Sequence, residues 1–528
     1  MFDALFTTTT EYKKLSHALS GKGACALFGL PASGRAQVYA ALCRQLDKPL
    51  CIVTPGEAEA TRFAADLNTL GIPTAVFPAR DYVLRPIEGT AREYEYRRLA
   101  VLGELVGGRL RAVAVPAEAL TQFTTPKEDF CANTRTLHTG DTLLRDDLLA
   151  ALFGAGYTRR AQVDGPGQFS VRGDIVDIFA PDQKMPVRME FWGDEIDTLH
   201  TFDLTTQRRE DAIDKFYLSP AREVLFGKPA DAAEQLRAFL AKQRGKKKTA
   251  MADCMAADLD LLDGGAVPVN MDKYLAVRYP RPATVLDYFD DPILVAEEPA
   301  SIREADRATA YRRGEELKSL ILDGVLCAGL DNLYADPSYL WSKTGHYRTI
   351  CAENFARSMP DQPLKDIINA PAHTLPAWNG EVAGLLEDLK PLCDAGYTVT
   401  LLAGTDRAAA GLARDLRDKG ILVTTDAAAT PAAGLVQVLA GHLSAGCEFP
   451  FAKYALLTGR AFGETSSQKK KRKKAKDALN SLTEITPGDL VVHQNHGIGR
   501  YAGIQRMAVQ GVTKDYLRIE YDKKDVMY

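Results

Sequence analysis

The sequence lacks paired cysteines. Its nine cysteines are scattered singly between Cys25 and Cys447, and none stands in a C-x-x-C pair. A structural zinc site needs closely spaced ligand pairs, and a disulfide framework is typical of small, cysteine-dense secreted proteins. We therefore expect reduced cysteines that lie in hydrophobic cores.

Long apolar runs and a secretory leader are also missing. No run reaches the ~20 residues that cross a bilayer, and the opening segment Met1–Tyr12 lacks a basic start and a long apolar stretch. The net charge of −4 and the pI near 6.1 argue against binding of nucleic acid by bulk charge. We expect a cytoplasmic protein without a membrane partner, in which any contact with nucleic acid comes from a local patch.

The sequence contains no evident catalytic constellation. No serine elbow or Cys/His pair stands out, and the eight histidines are dispersed except for His493 and His496. Three residues apart on a strand that leads into a turn, these two would point to opposite faces, and no third ligand is near. We predict no catalytic residue, no metal site and no cofactor in this chain.

A phosphate-loop pattern is present near the N-terminus, where an apolar strand, a glycine-bounded loop and a helix follow one another from Ala24 onward. Gly29 and Gly34 keep the spacing of G-x-x-x-x-G-K-[ST], in which lysine contacts the β and γ phosphates and the hydroxyl holds magnesium. Here Arg35 replaces the lysine, and Ala36 offers no oxygen to a metal. The loop and the helix start could still attract an anion, but we expect no turnover of magnesium-nucleotide.

Short apolar runs alternate with amphipathic helices after this loop, which predicts a parallel, doubly wound sheet. The partner of a phosphate loop is an apolar strand that ends in acidic residues, and Ile293–Ala296 followed by Glu297 and Glu298 fits that pattern. Because this strand follows the loop by more than two hundred residues, another domain must be inserted into the sheet.

This arrangement resembles the nucleotide-excision-repair protein UvrB, whose first domain is split around an inserted second domain. The lead-in Thr284–Phe289 is similar to that of UvrB, but the acidic strand here ends Glu-Glu-Pro-Ala. UvrB also clamps damaged DNA with a tyrosine-rich β-hairpin, whereas the corresponding segment Phe77–Gly89 keeps one tyrosine and is too short for that hairpin. Both losses favour the decayed UvrB-like module of the bacterial transcription-repair coupling factors over a working UvrB.

The inserted segment carries a pattern of its own. Gln168–Phe179 is predicted as one alternating strand, and Pro186–Ile196 as a second that turns at Gly193 and Asp194. The segment resembles the UvrA-binding second domain of UvrB. The resemblance implies that the UvrA-binding residues are Arg172, Phe179, Arg188 and Glu190, with Arg159 or Arg160 near the edge of the patch. The alternative is that Arg188 and Glu190 share one solvated face of a sheet and pair with each other.

Two further segments precede the C-terminal part. Glu381–Arg460 alternates helices and strands without a glycine-rich loop or an acidic strand end, and in the resembling family a domain of unassigned role occupies this place. Lys469–Lys476 is a block of like charge in a polar run, which is expected to be disordered. We interpret this block either as a solvated linker or as a contact to nucleic acid or an acidic partner, and the two roles can coexist.

The last forty residues predict a small barrel that is cut off before it closes. Apolar strands are expected at Leu490–Val492, Ile504–Val509 and Tyr516–Tyr521, with tight turns at the glycines 497, 499, 503 and 511. With its two histidines and its Gly-Ile-Gly turn, the segment closely resembles the RNA polymerase-interaction domain of the coupling factors.

By that resemblance the second strand binds the β subunit of RNA polymerase through its edge. Ile504, Met507 and Val509 are then the expected contact residues, with Met507 as the exposed anchor. The alternative is that Met507 belongs to the barrel core. Because the chain stops at Tyr528 without a turn signal, we expect it to be the N-terminal part of something longer.

These patterns together predict an α/β multidomain chain. The expected domains are 1–125, a UvrB-like domain 1A with the degenerate loop; 126–218, an inserted α+β domain 2; 219–350, domain 1B; 351–462, a small α/β domain 3; 463–482, a basic flexible linker; and 483–528, a truncated RNA polymerase-interaction barrel.

The family resemblance implies a role in transcription-coupled nucleotide-excision repair, through binding of stalled RNA polymerase and recruitment of UvrA. The absent remainder would be a helicase-like motor that uses ATP and Mg to translocate on double-stranded DNA. One alternative is a divergent UvrB-type ATPase that verifies DNA damage. Another is a passive adaptor that truly ends at Tyr528.

Overall fold

The computed structural model describes residues 6–86, 92–355, 362–378, 380–429, 432–459, 488–493, 497–509, 512–521 and 526–527. Contacts between residues divide the chain into two units, Met1–Ala461 and Phe462–Tyr528. The nine cysteines are free thiols, and most are buried as predicted, although Cys131 is exposed.

The elements of the first unit follow in chain order. Its helices are α1 (Thr10–Ala18), α2 (Ala32–Leu46), α3 (Glu57–Thr69), α4 (Glu93–Val106), α5 (Ala117–Leu120), α6 (Lys127–Ala132), α7 (Arg145–Gly154), α8 (Pro229–Ala241), α9 (Gly245–Asp263), α10 (Leu275–Arg278), α11 (Pro299–Leu322), α12 (Tyr339–Lys343), α13 (Val382–Asp394) and α14 (Asp406–Asp418). Its strands are β1 (Gly23–Phe28), β2 (Leu50–Thr54), β3 (Thr74–Val76), β4 (Ala112–Pro116), β5 (Arg135–His138), β6 (Thr158–Arg159), β7 (Gln168–Arg172), β8 (Ile175–Phe179), β9 (Val187–Trp192), β10 (Glu195–Phe202), β11 (Arg209–Ala212), β12 (Lys215–Leu218), β13 (Ile293–Glu297), β14 (Arg348–Glu353), β15 (Leu364–Asn369), β16 (His373–Leu375), β17 (Thr398–Leu402), β18 (Val423–Thr424), β19 (Val436–Leu439), β20 (Gly446–Phe449) and β21 (Tyr454–Thr458).

The predicted parallel sheet is confirmed. Its seven strands lie in the order β15-β1-β14-β13-β2-β4-β3, and every neighbouring pair is parallel. Strands β2, β4 and β13 are buried along their whole length because they are apolar runs covered on both faces. The sheet extends beyond residue 350, the expected limit of domain 1B, because β14 and β15 complete it next to β1.

A second sheet lies between β4 and β13 in the chain. Its order is β11-β10-β9-β8-β7-β6, with antiparallel pairs except for β6 and β7. One face packs against Leu148 and Leu152 of α7. The prediction of a single strand over Gln168–Phe179 is wrong, because Gly173, at φ 60°, turns the chain with Asp174 into the β7–β8 hairpin.

A buried ionic network joins α4 to the segments that follow the second sheet. The Arg98 guanidinium donates to Glu223 at 2.6 Å, and both side chains are fully buried. Arg80 reaches Glu223 at 3.3 Å and Asp272 at 2.7 Å. Three segments distant in sequence are thereby held together, because removing any partner would leave a buried charge uncompensated.

A third sheet occupies the region predicted as the small α/β domain. Its order is β16-β20-β21-β17-β19-β18, and β21, β17, β19 and β18 are parallel neighbours. β20 is antiparallel to both β16 and β21. The Asp66 carboxylate of α3 accepts from the Ser444 backbone N–H at 2.7 Å and from its hydroxyl at 2.6 Å, which ties this sheet to the first one.

The second unit is an antiparallel sheet in its described residues, with the order β22 (Leu490–His493), β23 (Gly497–Val509), β24 (Val512–Glu520) and β25 (Val526–Met527). The prediction of turns at Gly499 and Gly503 is wrong, because both lie inside β23. A Cβ at Gly499 would collide with the Ile519 side chain of β24. Glycine at this position leaves the space that the Ile519 side chain occupies. The basic block 469–476 and His496 lie outside the described residues. Within the described ranges, none of the helices has the length and apolar character needed to span a bilayer.

Candidate functional site

The degenerate phosphate loop connects β1 to α2 and meets the acidic strand end as predicted. β1 and β13 both border β14, so the loop and the end of β13 lie at the same edge of the sheet. Gly29 has a φ of 87°, a conformation that glycine adopts readily and that other residues rarely do. Ala36 is buried in the helix that follows, and no hydroxyl stands at its position.

Arg35 fills the place between the loop and the two glutamates. Its Nη2 lies 2.8 Å from Glu297 Oε2 and 3.0 Å from Glu298 Oε1. Its Nη1 donates to the Leu30 carbonyl at 3.0 Å and to Asn354 Oδ1 at 3.1 Å. Because the Arg35 and Glu297 side chains are 3% and 1% exposed, this cluster is an interior ion pair and not an open site.

The Glu297 carboxyl is held by two groups at once, since the Tyr39 hydroxyl also donates to it. Burial raises the pKa of Glu297 above its usual value, although Arg35 and the Tyr39 hydroxyl act in the opposite direction. Desolvation therefore outweighs the attraction of the guanidinium for this carboxyl. In a working phosphate loop the residues at these positions would bind nucleotide and magnesium, whereas here Arg35 and Glu297 bind each other.

Other segments of the chain cover the loop. A Cβ at Gly34 would lie 2.9 Å from Cys447 Sγ, because β20 of the third sheet packs on the start of α2. On the other side, the Ala372 N–H donates to the Gly29 carbonyl at 2.9 Å. These two contacts restrict the space at Gly29 and Gly34 that an anion bound to the loop and the helix start would need.

The short segment that replaces the UvrB hairpin packs inward in its described part, 77–86. The Tyr82 hydroxyl donates to the Phe123 carbonyl at 2.8 Å and to the Leu333 carbonyl at 3.1 Å. Tyr82 is buried, and the Arg80 guanidinium lies over its ring at 4.6 Å. A tyrosine engaged in this way is a packing residue and does not offer a stacking surface to DNA.

The outer face of the second sheet is the side that does not pack on α7, and it carries the UvrA-facing candidates. Arg172 Nη2 donates to Asp177 Oδ2 at 2.6 Å, and the Arg172 side chain is 47% exposed. Arg188 donates to the same carboxylate from Nε at 2.7 Å and from Nη2 at 2.9 Å, but its side chain is only 12% exposed. Asp177 is fully buried beneath the two arginines. The structure therefore brings Arg172 and Arg188 together on one acid.

The alternative that Arg188 and Glu190 pair with each other is wrong. Arg188 binds Asp177 and lies over the Phe202 ring at 4.7 Å. Glu190 accepts instead from Arg209 on β11 and from the Thr198 hydroxyl at 3.3 Å. The two side chains share a face through their spacing on β9, as predicted, yet each finds its partner across strands.

Two aromatic side chains change the predicted patch. Phe179 is 6% exposed because it packs with Val163 and Phe202, so it is covered and does not present a contact surface. Trp192 is 82% exposed on the same face as Arg188 and Glu190. Trp192 was not among the predicted contact residues, although the two-residue period of β9 places it next in that series.

Arg159 and Arg160 lie apart from this group. β6 is the edge strand of the sheet, and both arginines are among the residues that line a cleft, together with residues from 222–232 and 265–272. Both are exposed.

The predicted polymerase-binding residues lie on β23. Ile504, Met507 and Val509 pair through their backbones with Leu517, Lys514 and Val512 of β24. The side chains of these three lie outside the described residues, so the choice between contact residue and core residue for Met507 stays a prediction. Nowhere in the described part of the chain do three or more His, Cys, Asp or Glu side chains gather as metal ligands.

Comparisons with known proteins match both predicted interaction regions. Residues 136–224 match the family described as UvrB interaction domain, and residues 485–528 match the CarD-like/TRCF RID domain. The transcription-repair-coupling factor of Bacillus subtilis is 27% identical over 517 residues, and that of Staphylococcus haemolyticus is 26% identical over 518 residues. Each alignment covers 95% of this chain and 44% of the relative, so the chain spans less than half the length of these proteins. The family resemblance predicted from the sequence is confirmed: over 95% of its length this chain is similar to the bacterial transcription-repair-coupling factors.

Proposed function

We propose that this chain acts in transcription-coupled nucleotide-excision repair by binding RNA polymerase and recruiting UvrA. The observation that carries the proposal is the outer face of the second sheet, which presents a half-exposed Arg172 and an 82% exposed Trp192 together with a sheltered arginine–aspartate pair. This face lies within the segment that matches the UvrB interaction domain.

The chemistry of this face suits a protein partner. Tryptophan, tyrosine and arginine are the residues enriched among the dominant contacts of interfaces. Asp177 fixes one side of the Arg172 guanidinium and leaves the rest of the fork free for a carboxylate of the partner. UvrA is the partner that the UvrB-like character of the domain favours.

The polymerase contact rests on the second unit. β23 is a thirteen-residue strand in a segment that matches the CarD-like/TRCF RID domain. We propose the β subunit as the partner, with Ile504, Met507 and Val509 as contact residues. Strand addition would supply main-chain hydrogen bonds, and Met507 would set the register.

The enzymatic half of the function lies outside this chain in our proposal. ATP and Mg would serve a motor that translocates on double-stranded DNA in the longer protein. The UvrB-type ATPase is disfavoured as an alternative because the buried Arg35–Glu297 pair occupies the place that nucleotide and metal would need.

Titration of UvrA with wild-type and variant chains tests the recruitment surface. Arg172→Glu and Trp192→Ala should each weaken binding by about tenfold or more, since both side chains are exposed and each removes a strong type of interface contact. Arg135→Glu is the matched control, because Arg135 is an exposed arginine on β5, in a different sheet. Unchanged affinity in both variants would remove this face from the proposal.

The polymerase contact is tested by Met507→Arg in a chain extended past Tyr528. A contact residue accepts the charge and loses binding to the β subunit, whereas a core residue loses the fold. Circular dichroism and capture of the β subunit would be measured on the same samples. A folded variant with normal binding would reject Met507, and an extended wild-type chain that ignores the β subunit would reject the domain assignment.

A further inference from the structure

The cleft that contains Arg159 and Arg160 is a separate feature of the first unit. It has a volume of about 420 Å³. The end of α7 and β6 form one wall, and residues 222–232 and 265–272 form the other. The UvrA-facing candidates Arg172, Arg188 and Glu190 are not among its lining residues.

The charge in this cleft is strongly positive. Its lining includes the arginines Arg92, Arg159, Arg160 and Arg222. Asp272 is the one carboxylate among the described lining residues. It is already engaged by the Arg80 guanidinium, through hydrogen bonds of 2.7 and 3.2 Å, and by the Val83 N–H.

Two of the four arginines already share a carboxylate behind the cleft wall. Arg92 lies 2.7 Å from Glu95 and Arg222 lies 3.9 Å from it. Burial opposes ionisation of Glu95, yet Arg80, Arg222 and Arg92 together lower its pKa to about 2. Glu95 therefore remains charged and holds Arg92 and Arg222 in place.

Arg159 and Arg160 have no such partner. In the part of the chain that the structure describes, neither guanidinium lies within 4.0 Å of an acidic side chain. By contrast, the exposed Arg172 of the same domain is paired with Asp177. The unpaired guanidinium groups of Arg159 and Arg160 lie in one cleft with the two that Glu95 holds in place. Together they form a site that a multivalent anion would neutralise.

An apolar surface borders these cations. Val267 and Val269 line the same cleft and are 54% and 39% exposed, which is unusual for valine in a folded domain. A ligand that covers both parts of the cleft would carry several negative charges and an apolar or aromatic group.

We propose that this cleft binds a nucleoside polyphosphate. Its phosphates would lie against Arg159, Arg160 and the two fixed arginines, and its base would cover Val267 and Val269. The volume falls within the range of roughly 300–1,000 Å³ that is typical of small-ligand sites. A single strand of nucleic acid needs instead a groove that follows several nucleotides. The proposal concerns binding alone and includes no chemical step.

The test is calorimetric titration of the whole chain with ATP, GTP and inorganic triphosphate in the absence of Mg²⁺. The wild type should bind all three, and the double variant Arg159→Glu/Arg160→Glu should weaken each by about tenfold or more. Val269→Ser should weaken the nucleotides and spare triphosphate, which separates the base from the phosphates. Arg135→Glu should leave every affinity unchanged, because Arg135 is exposed and lies on a different sheet.

Two further measurements keep the outcome decisive. Circular dichroism melting establishes that the double variant is folded, and Arg159→Gln/Arg160→Gln replaces it if the reversal of charge disturbs the fold. Arg172→Glu, the variant of the proposed recruitment surface, should bind ATP, GTP and triphosphate as the wild type does, because Arg172 does not line the cleft, and this makes the inference independent of that surface. Binding of only a short single-stranded oligonucleotide, absence of nucleotide binding by the wild type, or equal nucleotide affinity of the wild type and the double variant would overturn the proposal.

Discussion

The degenerate phosphate loop and the outer face of the second sheet both place arginine beside carboxylate, and the surroundings give the pairs opposite consequences. At the loop, Arg35 is 3% exposed and Glu297 is 1% exposed, and β20 packs over the helix start. On the outer face, Asp177 is fully buried while Arg172 is 47% exposed. When the guanidinium and the carboxylate of a pair are both buried, the arginine can only stabilise the fold. When the carboxylate alone is buried, the guanidinium remains available to a partner.

The comparison also separates two neighbours on the outer face. Arg188 uses both Nε and Nη2 on Asp177, donates to the Gln207 carbonyl at 3.2 Å and lies over the Phe202 ring. Arg172 makes one hydrogen bond to the same acid. Arg188 is therefore closer in character to Arg35 than to Arg172, although both are strand arginines of the predicted UvrA patch.

The largest effect is expected when the loop cluster is broken. Arg35→Met leaves Glu297 buried beside Glu298 without its cation, and loss of one partner of a buried pair costs about 3–5 kcal/mol of unfolding free energy. The midpoint of urea unfolding measures this loss. Arg237→Met is the matched control, because Arg237 pairs with Asp263 at the surface and should cost at most about 1 kcal/mol. Equal midpoints for the two variants would mean that the cluster is not a fold-stabilising pair.

A smaller difference is expected within the outer face. Arg188→Glu sets a second carboxylate against the fully buried Asp177 and should cost about 3 kcal/mol of unfolding free energy, so it weakens the fold as well as any binding. Arg172→Glu should cost about 1 kcal/mol or less because the side chain is half exposed. Urea unfolding of the two variants side by side measures the difference. Indistinguishable midpoints would contradict the division of the two arginines into a supporting and a contact residue.

Much of the fold follows from local patterns in the sequence. β2, β4 and β13 are continuous apolar runs, and a run of that kind between helices is typical of a buried parallel strand. The β7–β8 hairpin was missed because apolar residues continue on both sides of Gly173, although Gly-Asp is itself a turn signal. β16, β19 and β20 were also missed, since strands of three or four residues give too little periodicity.

The sites were harder to predict than the strands. The residue types at the loop indicated lost nucleotide chemistry and a partner strand that ends in Glu297 and Glu298, but the burial of Arg35 and Glu297 as an ion pair depends on tertiary packing that local sequence does not reveal. The same limit applies to Arg188 and Asp177, whose pairing depends on the β8–β9 register. Trp192 was within reach of the sequence, because strand period and side-chain size suffice to mark it. The cleft around Arg159 was not, since residues from four segments line it.

The smallest effect is expected from restoring the residues that the phosphate loop lacks. Arg35→Lys combined with Ala36→Thr recreates the nominal pattern, but we expect no release of phosphate from ATP in the presence of Mg²⁺. Gly34 still faces Cys447, and the Gly29 carbonyl still accepts from Ala372, so both contacts continue to restrict the space that phosphates would need. The new lysine would lie between Glu297 and Glu298, where its ammonium is neutralised before it can reach a nucleotide.

A malachite-green assay of phosphate release measures the activity of this restored loop, with Arg35→Lys alone as the control for the charge change. Both variants should be made in the Arg159→Glu/Arg160→Glu background, so that nucleotide held in the arginine cleft does not obscure the result. ATP hydrolysis that appears with the double restoration and is absent from Arg35→Lys alone, which keeps Ala36, would show that the covering strand and the glutamates do not close this loop. The contrast between a buried loop and an exposed sheet face would then no longer hold for the loop.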